Sequence, residues 1–215
     1  SLEREKEIGG ARLTYRCLKR LFDLIVSLVG VAVLSPLLLA IAIAVAVEDG
    51  FPVLYRAQRV GLHGRAITVY KFRSMRKHAD RLEETLSPEE LEEYKKNFKL
   101  ARDPRTTKVG RFLRKTSLDE LPQLFNIIAG TLSLVGPRPV LQEETELYGA
   151  DRELLLSCKP GLTGLWQTKG RSNVTYENGA RQALELKYVR ERCFLLDLKI
   201  LLWTVGAVVR MDGAR

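Results

Sequence analysis

The segment Thr116-Ser117-Leu118-Asp119-Glu120-Leu121-Pro122-Gln123-Leu124 places two adjacent acids just ahead of a proline. Ser117 and Glu120 have the spacing of a capping box, and acids suit a first helical turn. With Ser117 as N-cap, Pro122 would be the fifth helical residue and would remove an intrahelical bond. With Asp119 as N-cap it is the third, where the N–H has no intrahelical partner. Asp119 is therefore expected at a helix mouth, which favours its ionised form and suits phosphate binding. An ionised aspartate beside a phosphoryl group can act as a nucleophile and form an acyl phosphate. Taken alone, the segment reads as a helix cap before it reads as a catalytic pair.

Basic side chains surround this pair in the sequence. Lys71 and Arg73 lie in Tyr-Lys-Phe-Arg-Ser-Met, Arg111, Arg114 and Lys115 stand just upstream, and Arg138 sits in Gly136-Pro137-Arg138-Pro139. Phosphoryl transfer needs positive charge on non-bridging oxygens, and arginine supplies it as a bidentate fork. Two prolines around Arg138 suggest a side chain held in one direction. Lys71 and Arg73 read equally well as the polar face of a strand. Residues 159–171, from Lys159-Pro160-Gly161 to Gly170-Arg171, are glycine-rich, which lets backbone approach a phosphate or a base. They contain neither a P-loop nor a dinucleotide fingerprint, and a plain turn with Trp166 in the core fits them too.

These residues need elements to hold them. Leu21 to Val47 is an apolar run interrupted only by Asp23, Ser27 and Ser35-Pro36. As a straight helix it would reach roughly 40 Å against a bilayer core of roughly 30 Å. It is too long for a cleavable signal and has no evident cleavage site. Pro36 predicts a bend, and Ser35 can satisfy backbone freed there. A kinked spanning helix is one reading. The other is a re-entrant helix–break–helix, slightly favoured because Arg16, Lys19 and Arg20 precede the run while Arg56, Arg59 and Arg65 follow it. The division is a basic segment 1–20, a membrane element 21–47 and a catalytic domain 48–215. Within the last, Val53 to Met75 predicts a hairpin, residues 78–100 a charged helix, 140–157 a helix, 158–173 a loop and 177–192 an amphipathic helix. Residues 193–209 predict an interfacial or core-packed helix carrying Asp197 and Lys199. The fold class is α+β, mainly helical, with interfacial helices on a small cytoplasmic domain.

Composition limits the partners. A chain of 215 residues, 46% hydrophobic with net charge +9, holds one domain of real core and points to an anionic partner. Three scattered cysteines suggest a reducing compartment, and two histidines are too few for a His-based metal centre. Nucleic acid is not expected, because the aromatics do not interleave with the basic residues. A homodimer is left open.

Together the segments resemble the monotopic phosphoglycosyl transferases, the bacterial sugar transferase family. The resemblance runs in order through Lys19-Arg20-Leu21-Phe22-Asp23, Ser35-Pro36, Tyr70 to Met75, Val109 to Arg114 and Ser117 to Leu121. It continues through Gly136 to Pro139, Pro160 to Gly164, Gly170-Arg171 and Leu195 to Lys199, covering about residues 19–202. It implies a re-entrant membrane helix broken at Ser35-Pro36, embedded in lipid of the bacterial inner membrane with the domain facing the cytoplasm. It implies that Asp119 attacks a UDP-sugar, releases UMP and passes the sugar phosphate to polyprenyl phosphate. Mg²⁺ near Asp119 is also implied, with Glu120 as the other acid of the dyad and Arg114, Arg138, Arg171 and, more weakly, Lys71 holding phosphates or nucleotide. Tyr176 stands where the family pattern leads one to expect tryptophan. Only about 18 residues precede the core, which fits a minimal enzyme or an excised one. The alternative is a non-catalytic membrane scaffold in which the dyad only caps a helix.

Overall fold

A computed structural model describes residues 2–79, 81–97, 100, 103–169, 176 and 179–209. Helix α1, Leu2–Asp49, takes in both the basic segment and the apolar run. It does not end at Ser35-Pro36. Pro36 has no N–H for the carbonyl of Ala32, and the Ser35 hydroxyl donates to that oxygen instead at 2.8 Å. Side chains at 23, 27, 41 and 45 are buried, a helical stripe that continues on both sides of the proline. The opposite face is bare: Val33 is 70% exposed and Val47 83%. In the most apolar 18-residue stretch only 11% of the residues are buried, so the helix is not enclosed by the chain's own core.

The hairpin forms as expected from strands β1, Leu54–Val60, and β2, Ala66–Phe72, in register from Leu54↔Phe72 to Val60↔Ala66. The single charged helix expected at 78–100 is instead two, α2 (Leu82–Thr85) and α3 (Pro88–Asn97). Ser87 and Glu90 exchange the two bonds of a capping box, and Pro88 restarts the helix behind them. Helix α4, Lys108–Thr116, is followed by a 3₁₀ turn, Leu118–Glu120, and then by α5, Gln123–Ala129. Strand β3, Ser133–Val135, pairs in parallel with β4, Gly161–Thr163. Between them lie a 3₁₀ segment, Glu143–Asp151, and α6, Arg152–Leu155. The chain goes on through α7 (Leu165–Lys169), α8 (Ala180–Glu191) and α9 (Phe194–Val209). The stretch read as a loop at 158–173 thus contains a strand and a short helix.

The main core gathers Leu124 and Ile127 of α5, Leu134 of β3, Tyr188 of α8 and Ile200 of α9, with Phe22, Val26 and Val31 of α1 against it. Polar residues of α1 tie it to this core. Asp23 accepts from the Ser133 hydroxyl at 2.7 Å and the Leu134 N–H at 3.1 Å. Lys19 meets Asp197 at 2.7 Å, and Arg20 donates to the last carbonyls of α5. Beyond Pro36, Glu48 accepts from the Lys108 and Val109 N–H groups, and Arg73 bonds Asp49.

Candidate active site

Asp119 lies inside the 3₁₀ turn between α4 and α5, not at the mouth of a helix as its sequence suggested. Ser117 takes a left-handed conformation (φ 59°) and closes α4, its N–H reaching back to Arg114 and Leu113. No side chain caps the turn, and α5 begins only at Gln123. The acid pair is therefore not a helix cap. Leu118 and Leu121 pack into a second core cluster with Ile41, Phe72 and Leu113, which fixes the turn between them.

The two acids have opposite electrostatics. Asp119 is buried, 8% exposed, and forms no ion pair with any described residue. Burial, then the charge of Glu120, pushes its pKa up to about 6, against the pull of Lys71 and Arg114. Burial also acts on Glu120, but Lys71 at 2.6 Å, with Arg138 and Arg59, outweighs it and holds Glu120 below its usual range. Asp119 is thus a carboxylate with little compensation, next to one already paired.

The sequence-nominated cations divide. Lys71 reaches the dyad directly. Arg114 bonds Thr106 at 3.2 Å and acts on Asp119 through its charge. Arg138 acts on Glu120, and its guanidinium lies 5.6 Å from the Trp166 ring. Arg73 is buried against the end of α1, while Arg111 and Lys115 are exposed. Arg171 lies outside the described residues. Ser35 and Pro36 are in α1, exposed.

Three further residues shape the site without having been nominated for it by the sequence. Arg59 is cross-strand to Ile67, so it shares a hairpin face with Lys71, whose partner is Tyr55. Burial and the neighbouring Arg138 charge lower the pKa of Arg59. Pairing the hairpin in register would have found it. Asn126 of α5 receives the Tyr70 N–H at 2.9 Å and donates to the Thr68 carbonyl at 2.7 Å, fastening β2 beside Lys71. Glu185, fully buried, accepts the Arg138 N–H at 3.2 and 3.3 Å, and burial raises its pKa to about 7. Tyr176 uses the hydroxyl that a tryptophan lacks to bond Glu144 at 2.9 Å.

The glycines serve backbone packing. A Cβ at Gly161 or Gly164 would collide with the backbone of Gly136. This contact seats the Gly136-Pro137-Arg138-Pro139 turn and so aims Arg138. Among the described residues no three His, Cys, Asp or Glu side chains converge as a metal cage. Asp119 and Glu120 are adjacent carboxylates whose charges act on one another, and Glu120 is already paired with Lys71 at 2.6 Å.

A family profile described as bacterial sugar transferase matches residues 14–211. Over 207 residues the chain is 45% identical to the undecaprenyl-phosphate galactose phosphotransferase of Salmonella typhimurium, covering 95% of this chain and 43% of that protein. It is 42% identical over 212 residues to the exopolysaccharide production protein ExoY of Sinorhizobium fredii, covering 97% and 93%. It is 37% identical over 196 residues to the UDP-glucose:undecaprenyl-phosphate glucose-1-phosphate transferase of Escherichia coli, covering 88% and 40%. The chain therefore spans less than half the length of two of these relatives and nearly all of the third.

Proposed function

The chain belongs to the bacterial sugar transferase family, and from that membership and the charges gathered about Asp119 we propose that it is a phosphoglycosyl transferase. It moves a sugar 1-phosphate from a UDP-sugar to undecaprenyl phosphate, for exopolysaccharide or a related bacterial glycan. The donor, the acceptor and the glycan follow from the names of the relatives. The observation that carries the chemistry is Asp119: a buried carboxylate with no ion pair among the described residues, beside Lys71 and Arg114. Such a group suits attack on phosphorus better than structural pairing.

In the first step an ionised Asp119 oxygen attacks the sugar-bearing phosphorus. The phosphoanhydride bond breaks, and its electron pair leaves with UMP. In the second, a phosphate oxygen of the acceptor attacks the same phosphorus, forming the lipid diphosphate sugar and freeing Asp119. Lys71 and Arg114, with Arg138 and Arg59, hold non-bridging oxygens; Arg171 is a further residue for that role. Asp119 and Glu120 would hold Mg²⁺, which when bound neutralises the diphosphate. Membrane association by re-entry of α1, with the domain on the cytoplasmic face, is supported by the fastening of both its arms to one domain. Against the scaffold alternative, in which the dyad serves only as a helix cap, no side-chain cap is present at this turn among the described residues.

Incubating the chain with UDP-sugars and Mg²⁺, then weighing the intact protein, tests this. One sugar should add a sugar-phosphate mass, and Asp119→Asn should abolish the adduct. An undiminished adduct in that variant removes Asp119 from the role.

A further inference from the structure

A groove of about 450 Å³ runs between α1 and α4, lined by Ala40, Ile41, Ala44, Val109, Phe112 and Leu113, with Lys108 beside them. We propose that it seats the chain of the acceptor lipid, the first isoprene units of a long isoprenyl phosphate. This rests on the transferase reading above.

The void is built into the two helices. Ala40 and Ala44, one turn apart on α1, are too small to fill it. Glu48 of α1 accepts from the Lys108 and Val109 N–H groups at 2.7 and 2.9 Å, which fixes the spacing of the two helices at one end of the groove. Gly110 behind them lies hard against the Ser74 backbone. Volume and lining suit an aliphatic ligand.

Position selects the occupant. Ile41 and Leu113 in the groove belong to the same packed cluster as Leu118 and Leu121, which bracket Asp119 and Glu120. A chain in the groove therefore lies against the cluster that carries the acid turn. Arg114, adjacent to Leu113 on α4, acts on Asp119 through its charge and meets an anionic head there. An isoprenyl phosphate bears its phosphorus directly on the chain end, whereas a glycerophospholipid interposes glycerol. Around the groove Leu39, Ile43 and Phe112 are 63%, 55% and 59% exposed, so a chain passes in from the bilayer without crossing water.

Ala44→Phe fills the groove. In nanodiscs, KM for undecaprenyl phosphate should rise about tenfold, the loss of roughly two chain carbons. Adduct formation from the UDP-sugar without acceptor should be unaltered. An unchanged acceptor KM overturns the proposal. A second measurement stands if the variant is damaged: a diazirine-bearing isoprenyl phosphate should label residues 108–116 of the unmutated chain, in competition with undecaprenyl phosphate. Labelling elsewhere, or equal labelling by a diazirine phospholipid, overturns it. Failure of the unmutated chain to form any adduct would strike the transferase reading alone, since photolabelling does not depend on turnover.

Discussion

Burying a carboxylate beside a second one opposes folding, and Asp119 carries that opposition because Lys71 is already engaged by Glu120. Burial and the Glu120 charge raise its pKa to about 6, so the native state favours the protonated acid. Any stability from the group is complete below the ordinary aspartate value of about 3.9 and is lost as pH rises through about 6. Asp119→Asn, which cannot ionise, should therefore melt above the unmutated protein at about pH 8 without divalent cation, with the gap closing towards about pH 4. A lower melting temperature for the variant at the alkaline end would mean that the carboxylate is compensated after all. The adduct-forming step should show the complementary direction, slowing as pH falls, because only the ionised oxygen attacks.

Helix α4 couples α1 to the acid turn, and its seat depends on Gly110. A Cβ there would strike the carbonyl of Ser74, which already accepts the Thr107 N–H at 3.1 Å. Alanine would gain about 1 kcal/mol of helix propensity. The backbone it meets cannot step aside, so Gly110→Ala should still lose about 1–3 kcal/mol in denaturant unfolding. No loss would show that α4 moves freely. None of this was visible in Val109-Gly110-Arg111, since the contact is with a distant strand end. Local pattern did reveal the hairpin, from Pro-Val-Leu-Tyr and Ala-Ile-Thr-Val-Tyr-Lys-Phe on either side of Gly61 and Gly64, and the long apolar helix. It anticipated Ser35 as the partner of the freed carbonyl. It misled at Ser117, because a serine in the left-handed region ends one helix where its capping pattern suggested the start of another. It was silent on why Gly136 and Gly161 are glycines, since they meet only across the β3–β4 pair.

Helix α1 is bonded to the same domain at both ends, and that constrains how it sits in a bilayer. Lys19 and Arg20 fasten one arm to α9 and α5, and Glu48 and Asp49 fasten the other to α4 and Arg73. A straight helix between Lys19 and Glu48 would cover roughly 44 Å, beyond a bilayer core of roughly 30 Å. Crossing would therefore place one basic arm on the far side from the domain to which it is bonded, against the charge rule as well. Exposed apolar side chains lie on α1, on Phe112 and Phe125, and on Leu202 and Trp203 of α9. Cysteine accessibility decides the topology. Cys17 is exposed on the first arm, and Arg65 is exposed in the hairpin turn after the second. Cys17 should be kept alone in one variant, and Arg65→Cys introduced alone in another. In intact cells neither should react with an impermeant maleimide until the membrane is opened, and then both should. Labelling of one arm from outside would mean that α1 crosses, and the bonds holding both arms to one domain could not then coexist in the membrane.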